Sequence, residues 1–97
     1  MANLTREELL VLLIEECGEV IQAATKCLRF GFNVDHGIDG YGNNKVALSR
    51  EIGDFLGVVD ELDVDMVNVR VARDSKLARA EAAKERYGVD VGTGKQP

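Results

Sequence analysis

Apolar residues recur at three- and four-residue spacing from Leu9 to Phe30, and the same spacing returns from Leu48 to Leu62. Each stretch is the pattern of a helix with one covered face. The first has a clear start. Thr5 and Glu8 stand in the capping-box relation, in which each side chain satisfies the other's exposed backbone N–H. Leu4 and Leu9 flank that cap at the positions of a hydrophobic staple. The helix is expected from about Arg6 to Phe30, with Lys26 and Arg29 near its negative end and Gly31 as its stop. Residues 31–44, GFNVDHGIDGYGNN, are rich in glycine and lack periodicity, which predicts a loop. The second helix runs from Asn44 or Lys45 to Leu62, with Leu48, Ile52, Phe55, Val59 and Leu62 as its apolar stripe.

The third segment is ambiguous at its start. Val67, Val69 and Val71 alternate with polar residues, which locally favours a strand, whereas SKLARAEAAKERY is helical by composition. A lone strand would have no partner, so residues 64–87 are expected to be helical. The chain from Gly88 onward reads as a frayed tail. The fold class is therefore all-α: an antiparallel bundle of about three helices per chain, completed by oligomerisation. One domain spans 1–88 and a flexible tail spans 89–97.

The pattern breaks where it should be most apolar. IEECGEV places Glu15, Glu16 and Glu19 at the centre of the first helix, and an ionised carboxylate leaves water only at a cost. On a wheel of roughly 100° per residue, Leu10, Leu13, Ile14, Cys17, Val20, Ile21, Ala24 and Leu28 form one broad apolar face. Glu15 falls on a wetter side with Glu8, Gln22 and Lys26. Glu16 and Glu19 share a strip with Leu12, Ala23 and Phe30, a strip that also reads as covered. The second helix repeats the feature, with Glu51 and Asp54 three residues apart beside Ala47 and Val58. A single such pair on a helix is usually a solvated face. Two pairs, each bordered by apolar residues, could be brought together by antiparallel packing, and a hard divalent cation would remove their mutual repulsion. Oxygen ligands without His or Cys select Mg²⁺, with Mn²⁺ as the alternative, over zinc or copper.

Composition narrows the setting. The 97 residues are 45% hydrophobic, with three Phe, two Tyr and no Trp, so the core is aliphatic and small, and association with further copies is expected. A net charge of −5 opposes binding to duplex nucleic acid, which needs a basic face, but leaves room for a nucleotide whose phosphates arrive with a metal ion. Cys17 and Cys27 are roughly 15 Å apart along one helix and cannot bridge each other. Buried, reduced thiols are expected, as in a cytoplasmic protein. Glu7 and Glu8 precede the apolar run and Glu15 and Glu16 interrupt it, so neither a signal peptide nor a membrane partner is expected.

The two acidic motifs, Glu15-Glu16-Cys17-Gly18-Glu19 and Glu51-Ile52-Gly53-Asp54, resemble the E-E-x-x-E and E-x-x-D signature of the MazG-like all-α nucleotide pyrophosphohydrolases. The surrounding text, LIEECGEVIQAATKCLRFG and REIGDFLGVVDEL, is similar to short phage and bacterial members, and the resemblance covers about residues 7–87. It implies hydrolysis of a nucleoside triphosphate between the α and β phosphates, releasing a monophosphate and pyrophosphate with Mg²⁺. Matched by motif position, Glu16, Glu19, Glu51 and Asp54 become metal ligands, and Glu15 an auxiliary acid able to accept a proton from water. A homodimer or homotetramer in the cytoplasm follows, of a cell or of a phage-infected host. The gap between Glu19 and Glu51 is longer than the family's. The Asn that members carry late in the third helix is absent, leaving Lys76, Arg79, Lys84 and Arg86 as phosphate contacts there, with Lys26 and Arg29 as further candidates. With no Trp, base stacking falls to Phe30, Phe32 or Tyr41. A phosphoribosyl-ATP pyrophosphohydrolase and a non-catalytic metal- or nucleotide-binding oligomer are the alternatives.

Other signals are weaker. DHGIDG imitates the start of a calcium loop, but Gly37 and Val46 stand where ligands are required. GTGK at 92–95 lacks the spacing of a phosphate loop. His36 is the only histidine and reads as a solvated loop residue, so a Ser or Cys nucleophile has no evident base.

Overall fold

The computed structural model describes residues 3–35 and 42–88, and they fold into three helices: α1 (Arg6–Phe30), α2 (Asn44–Glu61) and α3 (Met66–Tyr87). Among the described residues there is no strand, only one isolated bridge between Asp35 and Asn43. The chain divides into two units, Met1–Asp63 and Val64–Pro97. The first holds α1 and α2; the second holds α3. His36 and Tyr41, the centre of the glycine-rich loop and the expected tail at 89–97 lie outside the described residues. No helix is long and apolar enough to cross a membrane, among the described residues.

The helix ends follow local chemistry. The Glu8 N–H donates to Thr5 Oγ1 and the Thr5 N–H to Glu8 Oε1, both at 3.1 Å, which completes the capping box. The Thr5 N–H, and after it the Thr5 hydroxyl, stabilise the Glu8 carboxylate and hold that carboxyl below its ordinary range. Gly31 ends α1 at φ 108°, a backbone region unfavourable for a side chain, and a Cβ there would stand 3.1 Å from Val34 Cγ2. Asn43 caps α2 by accepting from the Val46 N–H at 3.0 Å. Asp65 caps α3 by accepting from the N–H groups of Val67 and Asn68, at 3.0 and 3.2 Å. That cap turns the alternating Val67-Asn68-Val69-Arg70-Val71 into helix, where Val67 and Val71 are exposed.

α1 and α2 form an antiparallel hairpin, tied at its loop end by Asn44. This residue is 3% exposed, and its side-chain amide donates to the Gly31 carbonyl at 2.9 Å. Its own carbonyl accepts from Cys27 Sγ at 3.4 Å, and its N–H donates to Val34 O at 2.8 Å. Both ends of the connection are thus fixed by one residue.

The packed seam is not the broad stripe that the hydrophobic count favours. In α1 it runs through Leu9, Leu12, Glu16 and Ala23, with Leu13 and Val20 half-buried beside it; in α2 it runs through Asn44, Ala47, Glu51 and Val58 to the C-cap residue Leu62. Leu10, Ile14, Ile21 and Leu28 are 44%, 72%, 65% and 72% exposed. Cys17, expected to be buried, is also exposed, while Cys27 is half-buried; both are free thiols. Small residues explain the choice of face. Ala23 and Ala47 are the most deeply buried apolar side chains described, and where side chains are short two helix backbones can approach.

Replacing Asn44 with Ala leaves the Gly31 carbonyl without its donor and is expected to lower unfolding stability by about 1–3 kcal/mol. Urea denaturation followed by circular dichroism measures this. An unchanged midpoint would show that the clamp is dispensable.

Candidate functional site

The seam carries acids where a hairpin of this kind would ordinarily carry leucine. Glu16 comes from the packed strip of α1; Glu51 and Asp54 share one edge of α2 because three residues is close to one turn. One carboxylate oxygen from each of the three lies within 4.8 Å of the others. Glu16 and Glu51 are half-buried and Asp54 is exposed. Glu16 Oε2 is itself buried and has no hydrogen-bond partner. A buried carboxylate oxygen normally finds a partner, and a cation could supply one here.

Electrostatics agree with the geometry. The Glu16 carboxyl is pushed above its ordinary range, first by loss of water and then by the charges of Asp54, Glu51, Glu19 and Glu15. All five acids therefore contribute to one negative field. An oxygen cluster of this width can be spanned by one hard cation at about 2.0–2.6 Å from each ligand. A set of carboxylate oxygens alone could hold a hard divalent cation.

The sequence-predicted residues fall into four groups. Glu16, Glu51 and Asp54 converge. Glu15 and Glu19 are exposed and stand outside the group, although their charge reaches it. Lys26 and Arg29 lie on the far part of α1, roughly 15 and 20 Å from Glu16 along the axis. Arg29 sits over the Phe30 ring at 5.3 Å, which also occupies one of the stacking candidates. Lys76 and Arg79 belong to the second unit, where Arg79 folds back on its own helix and donates to Ser75 Oγ at 3.2 Å and Ala72 O at 3.0 Å.

Periodicity does not reveal the groove beside the acids. It has a volume of about 380 Å³ and runs from Glu16 and Asp54 toward the start of α1. Leu9 and Leu12 line it from α1, Gly53, Gly57 and Val58 from α2, and Leu4 and Glu61 lie at its far end. Its sequence signal is the i, i+4 glycine pair in GDFLG, which leaves one side of α2 bare.

The raised Glu16 carboxyl has a consequence for stability. The folded chain holds this proton more tightly than the unfolded one, so the group opposes folding above its raised value, and the penalty disappears as pH falls toward the ordinary 4.5. In EDTA, Glu16→Gln is expected to be more stable than the wild type at pH 7 to 8, with the difference closing as pH is lowered toward that ordinary value. Thermal melts of the pair across pH measure it. A difference independent of pH would mean that Glu16 is not under this strain.

The chain matches no protein-family model, no curated protein and no solved structure.

Proposed function

We propose that the chain is a Mg²⁺-dependent nucleotide pyrophosphohydrolase that cleaves a nucleoside triphosphate to a monophosphate and pyrophosphate. The observation that carries this reading is the convergence of Glu16, Glu51 and Asp54 from two helices, with a buried Glu16 oxygen that lacks a protein partner. The same three acids occupy motif positions of the family that the sequence resembles. In this proposal they hold the cation; Glu19, the fourth ligand that the resemblance implies, stands one turn from Glu16 and outside their cluster. Bound there, Mg²⁺ supplies positive charge to the phosphate oxygens as the bridging bond breaks.

Glu15 is exposed next to Glu16 and is assigned the proton of the attacking water. Lys26 and Arg29 are better explained by the negative end of α1. The proposed setting is the cytoplasm.

A homodimer or homotetramer belongs to the same proposal, because α1 carries a second apolar face. Leu10, Ile14, Cys17, Ile21, Ala24 and Leu28 follow alternating steps of four and three residues, and all six are exposed. That is the spacing by which helices from separate chains pack against each other. A second copy presenting the same face would bury it and leave the acid seam undisturbed.

Two measurements test these statements. Pyrophosphate release from a panel of ribo- and deoxyribonucleoside triphosphates is expected with Mg²⁺ and not with EDTA. Glu51→Gln should lower it by roughly 100-fold or more, the scale of losing one preorganised charge-stabilising group. Metal binding without turnover of any nucleotide would favour the non-catalytic alternative. In analytical ultracentrifugation, Ile14→Glu combined with Ile21→Glu should convert the assembly to monomer; an unchanged sedimentation coefficient would place the interface elsewhere.

A further inference from the structure

We infer that the groove adjoining the acid triad seats the planar heterocycle of the substrate, and that Gly53 and Gly57 set the space available to it. This deepens the nucleotide reading above and rests on it.

Within the first unit, the described residues do not require these glycines. Neither has a positive φ; among the described glycines that conformation belongs to Gly31, Gly42 and Gly88. A Cβ built on Gly53 or Gly57 would meet no atom within 4 Å, so no neighbouring side chain or backbone excludes a larger residue. Glycine in a helix interior weakens the helix relative to alanine. Two of them, four residues apart on the face that borders one groove, leave open a space that no described residue of the first unit fills.

The shape and chemistry of that space select its occupant. At one end stand Glu16 and Asp54, which belong to the triad and suit a cation bridging to phosphate. From there the groove is lined by Leu12 and Leu9 on α1, roughly 6 and 10 Å from Glu16 along the helix axis. Opposite them lie Val58 and the bare peptide backbone at Gly53 and Gly57. The side chains along this stretch offer no donor or acceptor. Sugar hydroxyls pressed against them would lose water without replacement, which is unfavourable. A flat ring instead buries two apolar faces between the leucines and the glycine backbone, while its polar edge faces the open side. A volume of about 380 Å³ is within the roughly 300–1,000 Å³ of small-molecule sites. One ligand that carries a chelating anionic end and a planar apolar-faced end at this spacing is a nucleotide.

The test uses Gly57→Leu, which fills the groove at a position away from the acids and replaces a helix-weakening residue with a strong helix former. Calorimetric binding is measured with two probes in the presence of Mg²⁺: an α,β-methylene nucleoside triphosphate analogue, and inorganic tripolyphosphate, which has no base. Gly57→Leu is expected to weaken the analogue by about tenfold or more, the scale of steric exclusion in an apolar pocket, and to leave tripolyphosphate unchanged. Gly57→Ala should fall between the wild type and the leucine variant. Equal binding of the analogue by the wild type and Gly57→Leu would overturn this inference while leaving the nucleotide reading intact. Failure of the wild type to bind the analogue at all would overturn both. Equal loss of analogue and tripolyphosphate would overturn the assignment of the groove to the base.

Discussion

Three carboxylates held against one another at the seam of a two-helix hairpin are the constraint around which the first unit is organised. Loss of water at Glu16, and then the repulsion among the acids, oppose the packing of α1 on α2, and the raised proton affinity of Glu16 expresses both. The hairpin must be held by other means. Asn44 fixes the loop end through Gly31, Val34 and Cys27, and Ala23 and Ala47 let the helices approach beside the acids. A cation at the seam would turn the main opposing interaction into a favourable one. Metal binding and hairpin stability are then two views of a single equilibrium.

This arrangement also accounts for the way α1 divides its surface. A narrow strip of leucine, alanine and one half-buried acid faces α2, and a broader strip of leucine and isoleucine remains exposed. A small chain cannot cover every apolar face with its own residues. Placing the acids on the narrow strip leaves the broad one for association, so catalysis and assembly in the proposed function need not compete for the same side of the helix.

Much of the fold was legible because its signals are local. Thr5 and Glu8 fix the start of α1 and Gly31 its end, each within four residues of the backbone groups it satisfies. The third helix was harder, since alternating valines favour a strand until Asp65 supplies the cap that a helix needs. The packing face was misjudged for a different reason. Counting hydrophobic residues selects the widest face, whereas close helix contact here follows Ala23, Ala47 and the Asn44 clamp, none of which carries much weight in a hydrophobicity pattern. At the site, Glu16, Glu51 and Asp54 could be anticipated from their apolar borders. Glu19 shares the border of Glu16 in projection but lies a turn further along, beyond the width of the cluster. The groove was missed because its defining residues are glycines, which mark a site by what they leave out.

The central claim is that the acid seam is a divalent-cation site. Electron paramagnetic resonance of Mn²⁺ titrated into the wild type and into Glu16→Gln tests it most directly, because it reports bound metal without requiring a substrate. Saturable binding to the wild type, displaced by Mg²⁺ and greatly weakened in Glu16→Gln, is the predicted result. Absence of saturable binding, or equal binding by the two proteins, would contradict the account.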